Sequence, residues 1–304
     1  RRSRPTRRET RQNWRRFEQL EDRVLLFADP FFSAEHSDRG VDLRLFLEDL
    51  GGQRRLTLAD EATNQPLASA RVSGITGPVR IVGSNDQDTL RIDLDPALVG
   101  EFLPAGIAFE AGAGQDILLG PSVDTVWNVT AANAGSIRGA GIVDFSDVEH
   151  LQGAAGNEDT FVLSAAGQLS GGVDGGAGGF DSLVLEGGAY DSAVFTATGP
   201  DSGSVVLDGA VIQYAGLEPI ALGGTAADVV INLTAGDDQA ILTDNGLADG
   251  QITLVSVNGT FETTTFPNPT NSLTVNLAGG NDTLTLVTLD PAFNAGLTID
   301  GQAG

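Results

Sequence analysis

Six segments of this chain repeat one order of residues: a Gly-rich turn, an Asp, and an alternating apolar stretch that opens a strand. They are Gly83-Ser-Asn-Asp-Gln-Asp88-Thr-Leu-Arg-Ile, Gly112-Ala-Gly-Gln-Asp116-Ile-Leu-Leu and Gly153-Ala-Ala-Gly-Asn-Glu-Asp159-Thr-Phe-Val-Leu, followed by Gly175-Gly-Ala-Gly-Gly-Phe-Asp181-Ser-Leu-Val-Leu, Gly236-Asp-Asp238-Gln-Ala-Ile-Leu and Gly279-Gly-Asn-Asp282-Thr-Leu-Thr-Leu. Glycine reaches positive φ without steric cost, and an Asp side chain bonds to nearby backbone, so each segment is a turn with a strand behind it. Strands this short cannot bury an apolar face alone. They must stack on one another.

The Asp positions lie 28, 43, 22, 57 and 44 residues apart, which is not a simple period. A longer unit fits better. Asp116 to Asp238 is 122 residues, Asp159 to Asp282 is 123, and Asp174-Gly-Gly-Ala-Gly stands 126 before Asp300-Gly-Gln-Ala-Gly. Asp88-Thr-Leu-Arg-Ile-Asp-Leu-Asp-Pro-Ala likewise echoes Asp282-Thr-Leu-Thr-Leu-Val-Thr-Leu-Asp-Pro-Ala. Stretches such as Val229-Val-Ile-Asn-Leu and Leu273-Thr-Val-Asn-Leu alternate with period 2, and no helical stripe is seen beyond residue 30. The expected fold is all-β: a β-solenoid or β-roll-like stack of short strands with Gly-Asp turns, with an irregular β-sandwich array as the alternative. Residues 83–304 form the repeats. Residues 33–82 form an N-terminal β cap, with a hairpin from Val41-Asp-Leu-Arg-Leu-Phe-Leu to Arg54-Arg-Leu-Thr-Leu, and residues 1–32 a basic arm, disordered or briefly helical. The chain has no Met and ends in mid-motif at Ala303-Gly304, so it is expected to be a truncated piece of something longer.

Charge divides the chain. Residues 1–30 hold nine Arg and five acids, whereas residues 31–304 hold eight Arg and 36 acids, and no Arg or Lys follows Arg138. Gripping phosphate requires cationic side chains to displace counterions, so nucleic acid is excluded as a partner of the body. A small cation suits it. The apolar run from Val24 to Phe32 is broken by Asp29-Pro30 and is too short for a spanning helix, so no integral membrane span is expected. With no cysteine, disulfide and thiolate chemistry are absent.

Two readings of the turn carboxylates stand. One is turn-making alone. The other is calcium, because Asp oxygens and backbone carbonyls from neighbouring turns form an oxygen-only ligand set that suits a hard cation. The candidate ligands are Asp88, Asp116, Asp159, Asp181, Asp238 and Asp282.

Gly279-Gly280-Asn281-Asp282-Thr-Leu and Gly112-Ala-Gly114-Gln-Asp116-Ile-Leu resemble degenerate forms of the RTX (hemolysin-type) calcium-binding nonapeptide, although the copies here are not in tandem. The stretch from Phe17 to Pro30, Phe17-Glu-Gln-Leu20-Glu21-Asp22-Arg23-Val-Leu25-Leu26-Phe-Ala-Asp29-Pro30, resembles the LEPR-XLL segment near the N-terminus of very large bacterial repeat proteins. Leu20, Glu21, Arg23, Leu25 and Leu26 match its core letters, and Asp22 stands where that pattern has Pro. The stretch from Asp124-Thr-Val-Trp127 through Val143-Asp-Phe145 to Asp159-Thr-Phe161 is similar to a module of large secreted bacterial repeat proteins. Together these resemblances imply export, an extracellular or cell-surface location, and a structural or adhesive role with a cell-surface or glycan partner.

No enzyme activity is expected. His36 and His150 are too isolated for a triad or a metal cluster, and no Gly-x-Ser-x-Gly elbow is present. A hydrolase needs only two opposed carboxylates, and the many acids leave that open. The alternative function is therefore a carbohydrate-active or carbohydrate-binding β-helix.

Overall fold

In the computed structural model, residues 31–301 are described, apart from 38, 139–141 and 245. Residues 1–30, which include Leu20, Glu21, Arg23, Leu25 and Leu26 of the LEPR-XLL resemblance, lie outside them. The described chain forms two sheets of thirteen strands each. Outside four antiparallel meanders, strands pass alternately from one sheet to the other and pair in parallel with strands of the neighbouring coils. This is the expected solenoid. Parallel pairing between successive coils rules out the sandwich array.

The period-2 pattern sets the core. In the second sheet, Leu43, Leu90, Leu118, Leu151, Val173 and Tyr214 stand in register on six successive strands and all point inward. Facing them in the first sheet, Trp127, Phe161, Leu183 and Ile220 form a second buried row. Short strands such as Ile117–Leu119, His150–Gln152 and Gly172–Asp174 supply a single inward side chain each, and stacking joins the inward side chains into one continuous core. Trp127 and Phe161 stack with ring centroids 5.2 Å apart. Gly120 makes room for that pair: a Cβ there would lie 2.4 Å from the Trp127 ring.

Among the described residues, four antiparallel meanders interrupt the coiling, and they alternate between the sheets. The first (Asp42–Asp49, Arg54–Asp60, Pro66–Arg71) is in the second sheet and contains the expected hairpin. The next (Val126–Ala131, Ala134–Arg138, Ile142–Ser146) is in the first sheet. The third (Ala189–Gly199, Ser202–Leu207, Ala210–Ala215) is in the second, and the fourth (Gln239–Thr243, Gln251–Ser256, Thr264–Pro267) in the first. Each meander adds strands to one sheet only, so alternation keeps both at thirteen. The resulting long unit explains the 123-residue step, because Asp159 and Asp282 each precede a strand that pairs with the first strand of a first-sheet meander.

Two of the sequence comparisons join unlike positions. Asp116 precedes the second-sheet strand Ile117–Leu119, but Asp238 precedes the first-sheet strand Gln239–Thr243. Thr89–Asp93 and Thr283–Leu286 are likewise in opposite sheets. Both edges of the stack use the same turn chemistry, so sequence likeness does not reveal the sheet. A short α-helix, Pro96–Phe102, departs from the all-β expectation. Its start follows a local rule: Pro96 fills the first helical position, and the Asp95 carbonyl accepts from the amides of Leu98 and Val99. No helix among the described residues is long and apolar enough to cross a membrane.

Carboxylate ladders and a candidate metal centre

The turn carboxylates join one coil to the next. Asp88 Oδ1 accepts the amide of Val41 at 2.7 Å, Asp116 Oδ1 accepts that of Asp88 at 2.7 Å, and Glu149 Oε2 accepts that of Asp116 at 2.8 Å. On the first-sheet edge, Asp159 Oδ1 accepts the amide of Thr125 at 2.9 Å and its hydroxyl at 2.6 Å, and Asp181 Oδ1 accepts the amide of Asp159 at 2.7 Å. Asp282 Oδ1 accepts the amide of Asp238 at 2.9 Å. Each of these carboxylates thus binds a residue one coil earlier. Asp238 differs, closing its own turn on the Thr234 amide and hydroxyl.

The geometry explains the glycines as well as the acids. A Cβ on Gly83 would sit 2.1 Å from the Ala111 carbonyl and 2.3 Å from Asp88 Oδ2, and one on Gly153 would sit 2.3 Å from the Gly175 carbonyl. The next coil and the returning carboxylate leave no room for a side chain. The motif is a crossing point between coils.

Asp88, Asp116, Asp159, Asp181 and Asp238 are buried, and Asp282 at the last crossing is half-buried. Burial is the main force raising the Asp116 and Asp181 carboxyls to about 6, with neighbouring carboxylates adding to it. It also raises Asp159, against hydrogen bonds from Thr125 and Asn157. Asp116 Oδ2 and Asp159 Oδ2 have no hydrogen-bond partner. Glu149 escapes a search for the motif because no glycine-rich turn precedes it. The available signal is a carboxylate directly before a short alternating strand, His150-Leu-Gln, whose Leu151 points inward.

The first-sheet edge continues to Glu218 and Glu262, which stand in register with Asp181 two residues before the paired Leu183, Ile220 and Thr264. Glu262 is only 3% exposed and its Oε1 has no partner. Burial, reinforced by Glu218 and Asp201, pushes its carboxyl up to about 8. The fold therefore favours the neutral acid. The contribution of Glu262 to stability is fully present below the ordinary glutamate value of 4.5 and is lost toward about 8, by at most about 1.4 kcal/mol per pH unit. Glu262→Gln is expected to flatten this decline in thermal melts between pH 5 and 9. A variant whose melting falls with pH as steeply as wild type would remove Glu262 as the cause.

A different set of carboxylates could hold a metal ion. Asp244, Asp249 and Asp290 each offer an oxygen, all within 4.8 Å of one another. None of the six turn Asp belongs to this group. Asp244 and Asp249 lie in the turn that joins Gln239–Thr243 to Gln251–Ser256, and Asp290 comes from the next coil. Asp290 is buried and fixed: Oδ1 accepts the Ala292 amide and Asn268 Nδ2, both at 2.8 Å, and Oδ2 accepts the Gly250 amide at 3.1 Å. Those bonds, the Ala292 amide first, hold its carboxyl below the usual range. Asp244 Oδ1 and Asn268 Oδ1 are buried acceptors without a donor. The sequence carries half of this signal, in Asp244-Asn-Gly and Asp249-Gly; only the fold brings Asp290 to them.

His36 is exposed, and His150 lies half-buried on the outer face of the second sheet. No family model, curated protein or solved structure matches this chain.

Proposed function

We propose that this chain is a non-catalytic structural or adhesive segment of a large extracellular or cell-surface bacterial repeat protein, stabilised by calcium. The observation that carries this reading is the continuous stack. Thirteen strands per sheet, at about 4.8 Å per strand, make a stiff rod of about 60 Å along its axis. A rod of this kind transmits position and load, and its buried carboxylates serve coil-to-coil contacts. The charge of −24 suits a salty exterior, where screening and bound cations reduce self-repulsion.

Calcium is assigned to Asp244, Asp249 and Asp290. The donors are all oxygen, and Asp244 Oδ1 and the adjoining Asn268 Oδ1 are buried without a hydrogen bond, which matches a hard cation with flexible coordination. Extracellular modules of this kind bind at about 10⁻⁴ to 10⁻³ M. At ten times the dissociation constant, one site adds about 1.4 kcal/mol, worth about 2–3 °C in melting temperature for a chain of this length. Calcium added to chelator-treated protein is expected to give that rise, and Asp244→Asn with Asp249→Asn to abolish it. An equal rise in that double variant would place the ion elsewhere, and no rise would remove calcium. Turnover of any glycan by the purified chain would overturn the structural reading.

A further inference from the structure

The outer face of the second sheet carries a groove of about 440 Å³ across the strands Ile117–Leu119, His150–Gln152, Gly172–Asp174 and Ala210–Ala215. We propose that it binds a neutral oligosaccharide lying along the axis of the stack.

Two outward rows line this groove. His150, Gly172 and Gln213 are in register on adjacent strands, as are Gln152, Asp174 and Ala215. Gly172 and Ala215 have little or no side chain, so the face sinks between His150 and Gln152 on one side and Gln213 on the other. His150 is held in place by its packing over Gly171, where a Cβ would lie 2.4 Å from the ring. Gln152 Nε2 donates to Asp174 Oδ2 at 3.2 Å, which presets that amide, and Asp174 Oδ1 is in turn fixed by the Gly176 amide at 2.9 Å.

These groups choose the ligand class. Amides, an imidazole and one carboxylate offer donors and acceptors together, which is what vicinal hydroxyls require, and the low apolar floor accepts the C–H face of a sugar ring. Asp174 and the net acidity of the body disfavour an anionic chain. Strands repeat at about 4.8 Å, close to the advance of one sugar unit in an extended glycan, so successive coils meet successive units. Sugar binding here is independent of calcium: the groove and the Asp244 cluster share no residue.

The test is calorimetric titration of the whole chain with cellohexaose, laminarihexaose and mannohexaose, with hexagalacturonate as the charged comparison. At least one neutral hexasaccharide is expected to bind with a dissociation constant of about 1 mM or tighter. Ala215→Trp, which fills the groove from an exposed position, is expected to weaken binding about tenfold or more with unchanged melting. Gln213→Ala, also exposed, is expected to weaken it by a smaller factor. Absence of binding for all neutral sugars, binding of the uronate alone, or undiminished binding in Ala215→Trp would each overturn the proposal. Failure here leaves the calcium-dependent melting of the structural reading unaffected, so the two fail separately.

Discussion

Asp116→Ala is expected to lower stability by about 2 kcal/mol, whereas Asp116→Asn should stay within about 0.5 kcal/mol of wild type near neutral pH. Alanine removes the carboxylate that accepts the buried Asp88 amide and strands that donor. Asparagine keeps an oxygen at the same place and removes a buried charge. The sign with pH follows from the raised carboxyl. The native state of wild type holds its proton up to about 6, so wild type loses stability between the ordinary value of 3.8 and about 6, and Asp116→Asn does not. The gap between the two should therefore move in favour of asparagine as pH rises. Urea melts at pH 4 and 7 measure it. A ligand to calcium would behave otherwise, since a neutral amide would lose nearly as much as alanine and only when calcium is present.

The second large effect concerns the glycines. Gly83→Ala is expected to cost about 3 kcal/mol, because the new methyl group meets the Ala111 backbone on one side and the Asp88 carboxylate on the other. Backbone cannot rotate away as a side chain can, so the coils must separate and strain the ladder bond. Gly279 provides the control. It belongs to the last copy of the same motif, but a Cβ there would meet no atom within 4 Å and its φ is not positive, so Gly279→Ala should be nearly neutral. Paired thermal melts decide this. Equal losses at the two sites would mean that the glycines serve local turn conformation and not the approach of the next coil.

The two effects show what was legible in the sequence. Turn positions and the alternation of inward side chains were legible because both are local, as in Asp159-Thr-Phe-Val-Leu, where Phe161 and Leu163 point inward. The sheet to which a strand belongs was not, because Asp116 and Asp238 open strands on opposite edges after the same kind of turn. The meanders were hidden for a related reason: Val205 and Ile212 alternate as they would in a parallel strand, and nothing in the alternation marks the reversal of direction. The ladders required knowing that Asp88 sits beside Asp116, 28 residues away, and that Glu149 takes the next place without a glycine-rich turn before it. The candidate metal centre joins Asp290 to Asp244 and Asp249 across a whole coil, and no spacing rule would have selected it.

The two sequence readings of the turn carboxylates, turn-making and calcium, thereby acquire separate residues. The Gly-Asp turns hold coils together through amides, and the cation is assigned to a meander turn that lacks the motif.

Amide hydrogen exchange of Asp88, Asp159 and Asp238 in the presence of EDTA tests this division most directly. If the carboxylates of Asp116, Asp181 and Asp282 hold these amides, all three should be protected to the level of the core strands, such as that of Leu90, with no calcium present. Exchange as fast as in exposed loops in EDTA, slowing only when calcium is restored, would contradict it.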